Sequence, residues 1–183
     1  MLKLTRDKLD PLREALRERG ARPSIVVPPT SNAQDLMDAL RLVEEWGAFV
    51  EAMYLMMAAD RRVMNVEREV LRGALLLLSE ERVRTRHMEA MLDAAMRKVM
   101  VEGPEKRLAA VVEALRGDPA RAESAVVVAA AIAAADLRVV PEEHAFLAEL
   151  ARGLGIDEAR AEALLGEMAD EATASAPQGV PNG

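Results

Sequence analysis

The chain has 183 residues, a formal net charge of −7 at pH 7 and an isoelectric point near 5.0. This acidic balance argues against a general affinity for nucleic acid, and an aromatic content of 2% leaves few side chains on which bases could stack. The absence of cysteine excludes disulfides, thiolate metal sites and cysteine nucleophiles, while 51% apolar residues suffice for a sizeable core in one domain.

The N-terminal stretch Met1–Gly20 predicts a basic-leaning amphipathic helix with Leu9, Leu12 and Leu16 on one face. We favour a helix that docks this leucine stripe on the core of the protein. The alternative is an arm that binds an acidic partner or a membrane surface. The residues that follow, to position 30, include three prolines and indicate a linker.

A long helix is predicted next, because apolar residues recur at alternating steps of four and three and form one continuous seam. The seam residues are Leu36, Leu40, Val43, Gly47, Val50, Tyr54 and Met57. Any part of this apolar seam left uncovered would favour a homodimer.

The spacing after Asp60 predicts helices from about Asn65 to Leu78 and from about Glu80 to Val101, then a short helix between Gly103 and Gly117. The stretch Ala125–Ala135 carries no charged or polar side chain, which is typical of a helix buried on all sides. Eleven helical residues rise only about 16 Å, roughly half the hydrocarbon thickness of a bilayer. We therefore expect a central core helix rather than a membrane span, and a cytoplasmic protein.

The most informative feature is an internal repeat, in which AADRRV at 58–63 aligns without a gap on AADLRV at 134–139. In both copies a glutamate follows the aspartate seven positions later, as Glu67 and Glu143. The chain is therefore predicted to be all-α, with about seven to nine helices built from two pseudo-symmetric helix–turn–helix repeats at about 50–101 and 125–170.

The predicted domain organisation has three parts. Residues 1–30 hold the amphipathic helix and its proline-containing linker, and residues 31–172 form the helical domain. Residues 173–183 include two prolines and two glycines among small and polar residues and are predicted to be a disordered tail.

Acidic residues at the repeat are the candidate functional residues. If the two halves pack face to face, Asp60, Glu67, Asp136 and Glu143 approach one another, and hard cations such as Ca²⁺ or Mg²⁺ prefer oxygen ligands of this kind. The alternative, which we favour, is that each glutamate caps its own helix and each aspartate bonds the backbone of its turn. The arginines of the two turns would then neutralise these acids.

Catalysis finds no support in the sequence. The chain has neither a Gly-rich phosphate loop nor a GxSxG motif, and its two histidines, His87 and His144, belong to no HExxH or Glu-x-x-His pattern. We therefore expect a protein that is not an enzyme. The one cofactor to consider is a divalent cation, Ca²⁺ or Mg²⁺, at the acidic residues.

At the repeat the sequence resembles the TerB-like family, known from tellurite resistance and from one end of some DnaJ-type co-chaperones. AADRRV with Glu67, and AADLRVVPEEHAFLAELARGLGID, carry the resemblance, which covers about residues 35–171. It implies an all-helical TerB-like bundle, no established catalysis, and a divalent-metal site at Asp60, Glu67, Asp136 and Glu143 with Glu142 beside them. The chain departs from the family where Arg61 and Leu137 replace a glycine after each aspartate.

Three functions follow as expectations. The first is a non-enzymatic stress-response module of the tellurite-resistance type, which acts through an unidentified protein partner and binds a divalent metal weakly or not at all. The second is a structural or scaffolding helical protein whose acids are only helix caps. The third is a membrane-surface adaptor recruited to the inner membrane through Met1–Gly20.

Overall fold

A computed structural model describes the backbone of residues 33–136 and 139–175, and the side chains of these residues except 33–36, 38 and 171–175. Within these ranges every regular element is an α-helix, which confirms the all-α prediction. The seven helices of the described part are α1 (Ala33–Met57), α2 (Asn65–Leu78), α3 (Thr85–Glu102), α4 (Pro104–Arg116), α5 (Pro119–Ala133), α6 (Pro141–Leu154) and α7 (Glu158–Ser175).

Two predicted segments lie outside the described residues, namely the N-terminal helix with its linker and the part of the predicted tail at 176–183. The first three residues of the predicted tail, 173–175, belong to α7. Among the described helices, none has both the length and the apolarity to cross a membrane.

The contacts between helices have the reciprocal pattern of an approximate two-fold axis. The helix α1 packs on α3 as α5 packs on α7, and α2 packs on α5 as α6 packs on α1. The equivalent helices α2 and α6 both have 14 residues, and α3 and α7 both have 18. A simple tandem stack would not exchange α1 and α5 in this way, so the sequence repeat corresponds to two halves that face each other.

The centre of the bundle is α5, which contacts α1, α2, α4, α6 and α7. Its residues 125–130 and 132–133 are buried, as the uncharged sequence predicts. Asp118 begins the helix by accepting a hydrogen bond from the amide of Arg121 at 3.1 Å. Because alanines and valines fill most of α5, the surrounding helices approach its backbone closely.

The long seam of α1 is buried only in its C-terminal part. Val50 and Met57 belong to the core, whereas Leu40 and Val43 are each 50% exposed to solvent. The seam therefore faces the bundle from about Val50 onward, and its N-terminal part lies on the outside of α1.

The prediction that a helix starts near Glu80 was wrong by five residues, since α3 begins at Thr85. Glu80 and Glu81 adopt left-handed backbone angles, with φ of 52° and 63°, which end α2 instead. The buried hydroxyl of Ser79 then holds the loop, because it donates to the carbonyl of Leu75 at 2.6 Å and accepts from the amide of Val83 at 2.9 Å.

Gly153 allows α6 to approach α4 closely. A Cβ atom at this position would lie 2.7 Å from Cγ2 of Val112, a stiff side chain with little room to shift. We expect Gly153→Ala to lower the free energy of unfolding by about 1–3 kcal/mol through overpacking. Urea unfolding measures this effect, and adding Val112→Ala should recover part of it.

Gly166 in α7 provides the matched control for this substitution. A Cβ atom at Gly166 would meet no atom within 4 Å, so Gly166→Ala should stabilise the protein by about 0.5–1 kcal/mol through helix propensity. Equal effects of the two substitutions would contradict the close approach of α6 to α4.

Candidate functional site

Four carboxylates at the two repeat turns act on one another through their charges. Glu67 and Glu143 stand in the first turns of α2 and α6, and their residues are only 3% and 4% exposed. Asp60 is half-buried and Asp136 is exposed at the equivalent positions before each helix. The charges of both aspartates raise the pKa of both glutamates, so each half of the repeat acts on the other. The acids of the two halves therefore influence one another's ionisation.

Each buried glutamate also caps its own helix. A carboxylate oxygen of Glu67 accepts from the amide of Met64 at 2.6 Å, and one of Glu143 accepts from the amide of Val140 at 3.0 Å. The N-cap residues Met64 and Val140 have no side-chain oxygen, so the hydrogen bond that the glutamate at the third helical position accepts replaces the usual cap. The capping interpretation of these two acids therefore has direct geometric support.

Burial is the main influence on the titration of the two glutamates. It raises the pKa of Glu67 from its ordinary 4.5 to about 7, with a further rise from the charges of Glu143, Asp60 and Asp136. The hydrogen bond from the Met64 amide opposes this rise. The pKa of Glu143 is raised for the same first cause, burial, and then by Asp136, Asp60 and Glu142. At least one of these carboxyls therefore changes its charge near neutral pH.

The first turn is held by Asp60 and strained at Arg61. A carboxylate oxygen of Asp60 accepts from the amide of Arg62 at 2.7 Å, which closes an Asx-type turn. Arg61 has a φ of 64°, in the left-handed region that favours glycine. The side chains of both arginines are exposed, and within the described chain no ion pair joins them to the four acids. The equivalent residues of the second turn, 137 and 138, lie outside the described ranges.

Arg61→Gly should stabilise the fold by about 0.5–1 kcal/mol. The left-handed conformation costs a non-glycine residue about 1–2 kcal/mol, and the extra chain entropy of glycine removes part of that gain. Thermal unfolding at constant pH measures the change. The neighbouring Arg62→Gly removes the same charge from a residue without positive φ, so it should be neutral or destabilising. If Arg62→Gly stabilised as much as Arg61→Gly, charge rather than backbone strain would be the cause.

The fifth predicted metal residue, Glu142, is exposed beside Glu143. In the described part of the chain, no three Asp, Glu or His side chains are placed so that together they could hold a metal ion. The predicted Ca²⁺ or Mg²⁺ site thus stays a prediction. His144 is exposed and lies 3.9 Å from a carboxylate oxygen of Glu162, away from the core.

A buried ionic cluster centred on Glu51 was not predicted from the sequence. Glu51 lies in the middle of α1 and is 2% exposed. Its carboxylate accepts two hydrogen bonds from Arg107 of α4, from Nε at 2.5 Å and from a terminal nitrogen at 3.0 Å, and one from Lys98 at 3.1 Å. The available signal was a single charge in the otherwise apolar or uncharged run from Trp46 to Met57. Its partners are far along the chain, so spacing could not identify them.

A cleft of about 660 Å³ lies at the other end of α1 and α2 from the acidic cluster. Arg41 and Glu45 of α1 line it, together with Arg82, Arg84 and His87 from the loop before α3 and the start of α3. The guanidinium of Arg82 donates two hydrogen bonds to the carboxylate of Glu45, at 2.7 and 2.8 Å. Positive and negative groups are thus mixed in this cleft, and they support no single class of charged ligand.

Comparison with known proteins identifies no relative of this chain. No protein-family model matches it, and neither a curated protein nor a solved structure matches it at a significant level. The resemblance to the TerB-like family therefore rests on the residues of the internal repeat.

Proposed function

We propose that this chain is a non-enzymatic, TerB-like stress-response module of the tellurite-resistance type, which acts through protein contacts. Its acidic cluster is the candidate site for a divalent cation. The observation that carries this proposal is the electrostatic coupling of Asp60, Glu67, Asp136 and Glu143 across the two halves. These carboxylates oppose one another's ionisation, and a hard cation bound beside them would relieve that repulsion.

Calorimetric titration of Ca²⁺, Mg²⁺, Mn²⁺ and Zn²⁺ into chelator-treated protein tests the cation site. The double variant Asp60→Asn, Asp136→Asn keeps side-chain oxygens for the turns but removes two charges. Binding by the natural chain that is lost in the double variant would support the cation site.

The chain offers a control with the same change of charge. Asp118 and Asp157 are exposed aspartates that also accept backbone hydrogen bonds at the starts of helices. Asp118→Asn with Asp157→Asn should leave cation binding unchanged. Equal loss in both double variants would show only a general effect of net charge, and no binding at millimolar metal would refute the cation site.

The second candidate function is a structural or scaffolding helical protein whose acids are caps. The hydrogen bonds that the Met64 and Val140 amides donate to the carboxylates of Glu67 and Glu143 favour it. For this function we expect no metal binding, and at pH 5, where the Glu67 carboxyl is protonated, Glu67→Ala should destabilise the fold by about 1 kcal/mol through loss of the cap. The membrane-adaptor hypothesis depends on Met1–Gly20, which lies outside the described residues.

A further inference from the structure

The N-terminal part of α1 presents apolar side chains on the side away from the core. Met37, Leu40 and Val43 are 51%, 50% and 50% exposed, and their spacing of three residues places them on one face of the helix. We name these three residues the outer face of α1. Large apolar side chains grouped in this way, rather than scattered singly, mark an interaction surface.

We infer that the predicted N-terminal helix within Met1–Gly20 packs antiparallel on the outer face of α1 as a tethered segment of the same chain. This inference goes beyond the proposed function, because it assigns a surface and its occupant independently of any metal. It keeps the sequence-based expectation that the leucine stripe docks within the same chain, but places the stripe on the outer face of α1 instead of on the core.

The spacing of the two apolar stripes is complementary. In an antiparallel pair of helices with Leu16 opposite Met37, the other two leucines also face the outer face to within one residue. Leu12 then lies opposite Leu40, and Leu9 lies opposite Val43. At roughly 1.5 Å per residue both stripes extend about 10 Å, so each leucine meets one outer-face residue. Residues 21–32 remain to connect the two helices, which is ample for an antiparallel hairpin.

The charges of the two segments are also complementary. Met1–Gly20 has six Lys or Arg residues against four Asp or Glu residues. The first half of α1, 33–45, has four acids and one arginine, namely Asp35, Asp38, Glu44, Glu45 and Arg41. Glu45 is already paired with Arg82, but the remaining charges still leave this half of α1 net negative. It would therefore attract a net positive segment and repel a second copy of α1.

The tether also favours the chain's own segment over a second molecule. A short flexible linker gives its segment an effective concentration on the order of millimolar. At micromolar protein concentration, a second copy with the same intrinsic affinity is therefore at a disadvantage of roughly a thousandfold. The outer face of α1 should be occupied in the monomer.

The absence of cysteine in the chain allows a direct test by engineered disulfides in the full-length protein. We expect Leu12→Cys with Leu40→Cys to form an intramolecular disulfide under mild oxidation, detected by mass spectrometry of the digested monomer. The matched control is Glu14→Cys with Leu40→Cys, because residue 14 lies about 200° around the predicted helix from residue 12. The control pair should crosslink at least tenfold more slowly.

A second measurement uses no cysteine and does not depend on the exact register. Deletion of residues 1–20 should increase hydrogen exchange at residues 37–43 and increase binding of a fluorescent apolar dye. The far-ultraviolet circular dichroism signal should fall only by the contribution of the deleted residues, because the remaining helices stay folded. Equal crosslinking of both cysteine pairs, or unchanged exchange after the deletion, would overturn the inference. Crosslinks only between molecules, with a dimeric mass in light scattering, would overturn it in favour of a homodimer.

Discussion

Replacing Arg107 by alanine is expected to destabilise the protein by about 3–5 kcal/mol, because it leaves a buried carboxylate without its main partner. Glu51 is buried at the interface of α1 and α4, and Arg107 holds both of its oxygens. Lys98 keeps one hydrogen bond to Glu51, but its side chain is half exposed and only partly replaces the guanidinium. Urea unfolding of the variant beside the natural protein measures the loss.

Two further variants separate the charge from the packing at this position. Lys98→Ala should cost less than about 1 kcal/mol, as expected for the exposed partner of an ion pair. Glu51→Leu with Arg107→Met removes both charges and fills a similar volume, so it should recover most of the stability lost in Arg107→Ala. If the double variant were as unstable as Arg107→Ala, the unpaired buried charge would not be the cause of the loss.

Glu67→Gln should stabilise the protein at pH 8 and have little effect at pH 5. The pKa of Glu67 is about 7 in the folded protein, above its ordinary 4.5, because burial and the neighbouring carboxylates disfavour its charge. A raised carboxyl pKa contributes stability that is fully present below about pH 4.5 and is lost as the pH rises through about 7. Glutamine removes the charge but keeps an oxygen that can accept the Met64 hydrogen bond. The gain at pH 8 is up to about 3 kcal/mol, since one pKa unit corresponds to about 1.4 kcal/mol.

Urea unfolding of chelator-treated protein at pH 5, 6, 7 and 8 tests this dependence. The quantity to compare is the difference in the free energy of unfolding between the natural chain and the variant. Other carboxyls, such as Glu45 and Glu102, have pKa values lowered by arginine and lysine partners, so their contribution to stability changes with pH in the opposite direction. Glu105→Gln is the control, since Glu105 is an exposed glutamate in the first turn of α4. A difference for Glu67→Gln that did not change with pH would show that its carboxyl is not protonated preferentially in the folded state.

The two buried glutamates connect the proposed cation site with its structural alternative. A cation bound near Asp60 and Asp136 would lower the pKa of Glu67 and Glu143, whereas helix caps alone would keep them raised. The pH dependence of stability with and without metal therefore reports on the proposed function without an assay of activity. Metal that bound but did not shift this dependence would lie elsewhere on the protein.

Local sequence patterns determined much of this protein. The all-α class, the buried central helix and the repeat with its two turns all follow from apolar spacing, caps and the aligned Ala-Ala-Asp segments. These properties depend on residues close together in the chain, and for that reason α2 and α6 begin at equivalent positions after Asp60 and Asp136. The late start of α3 was missed because two consecutive glutamates, Glu80 and Glu81, have no sequence signature for left-handed backbone.

Only the tertiary structure decided which charges are buried and which apolar residues are left outside. Glu51 and Arg107 are separated by 56 positions, and their pairing depends on the packing of α1 against α4. The raised pKa of Glu67 likewise depends on its burial, and then on nearby charges that include Glu143 and Asp136 of the opposite half of the repeat. Similarly, the exposure of Leu40 and the burial of Val50 on one apolar seam depend on where the bundle ends. Spacing along the chain shows which side chains share a face, but burial depends on helices that arrive from distant parts of the sequence.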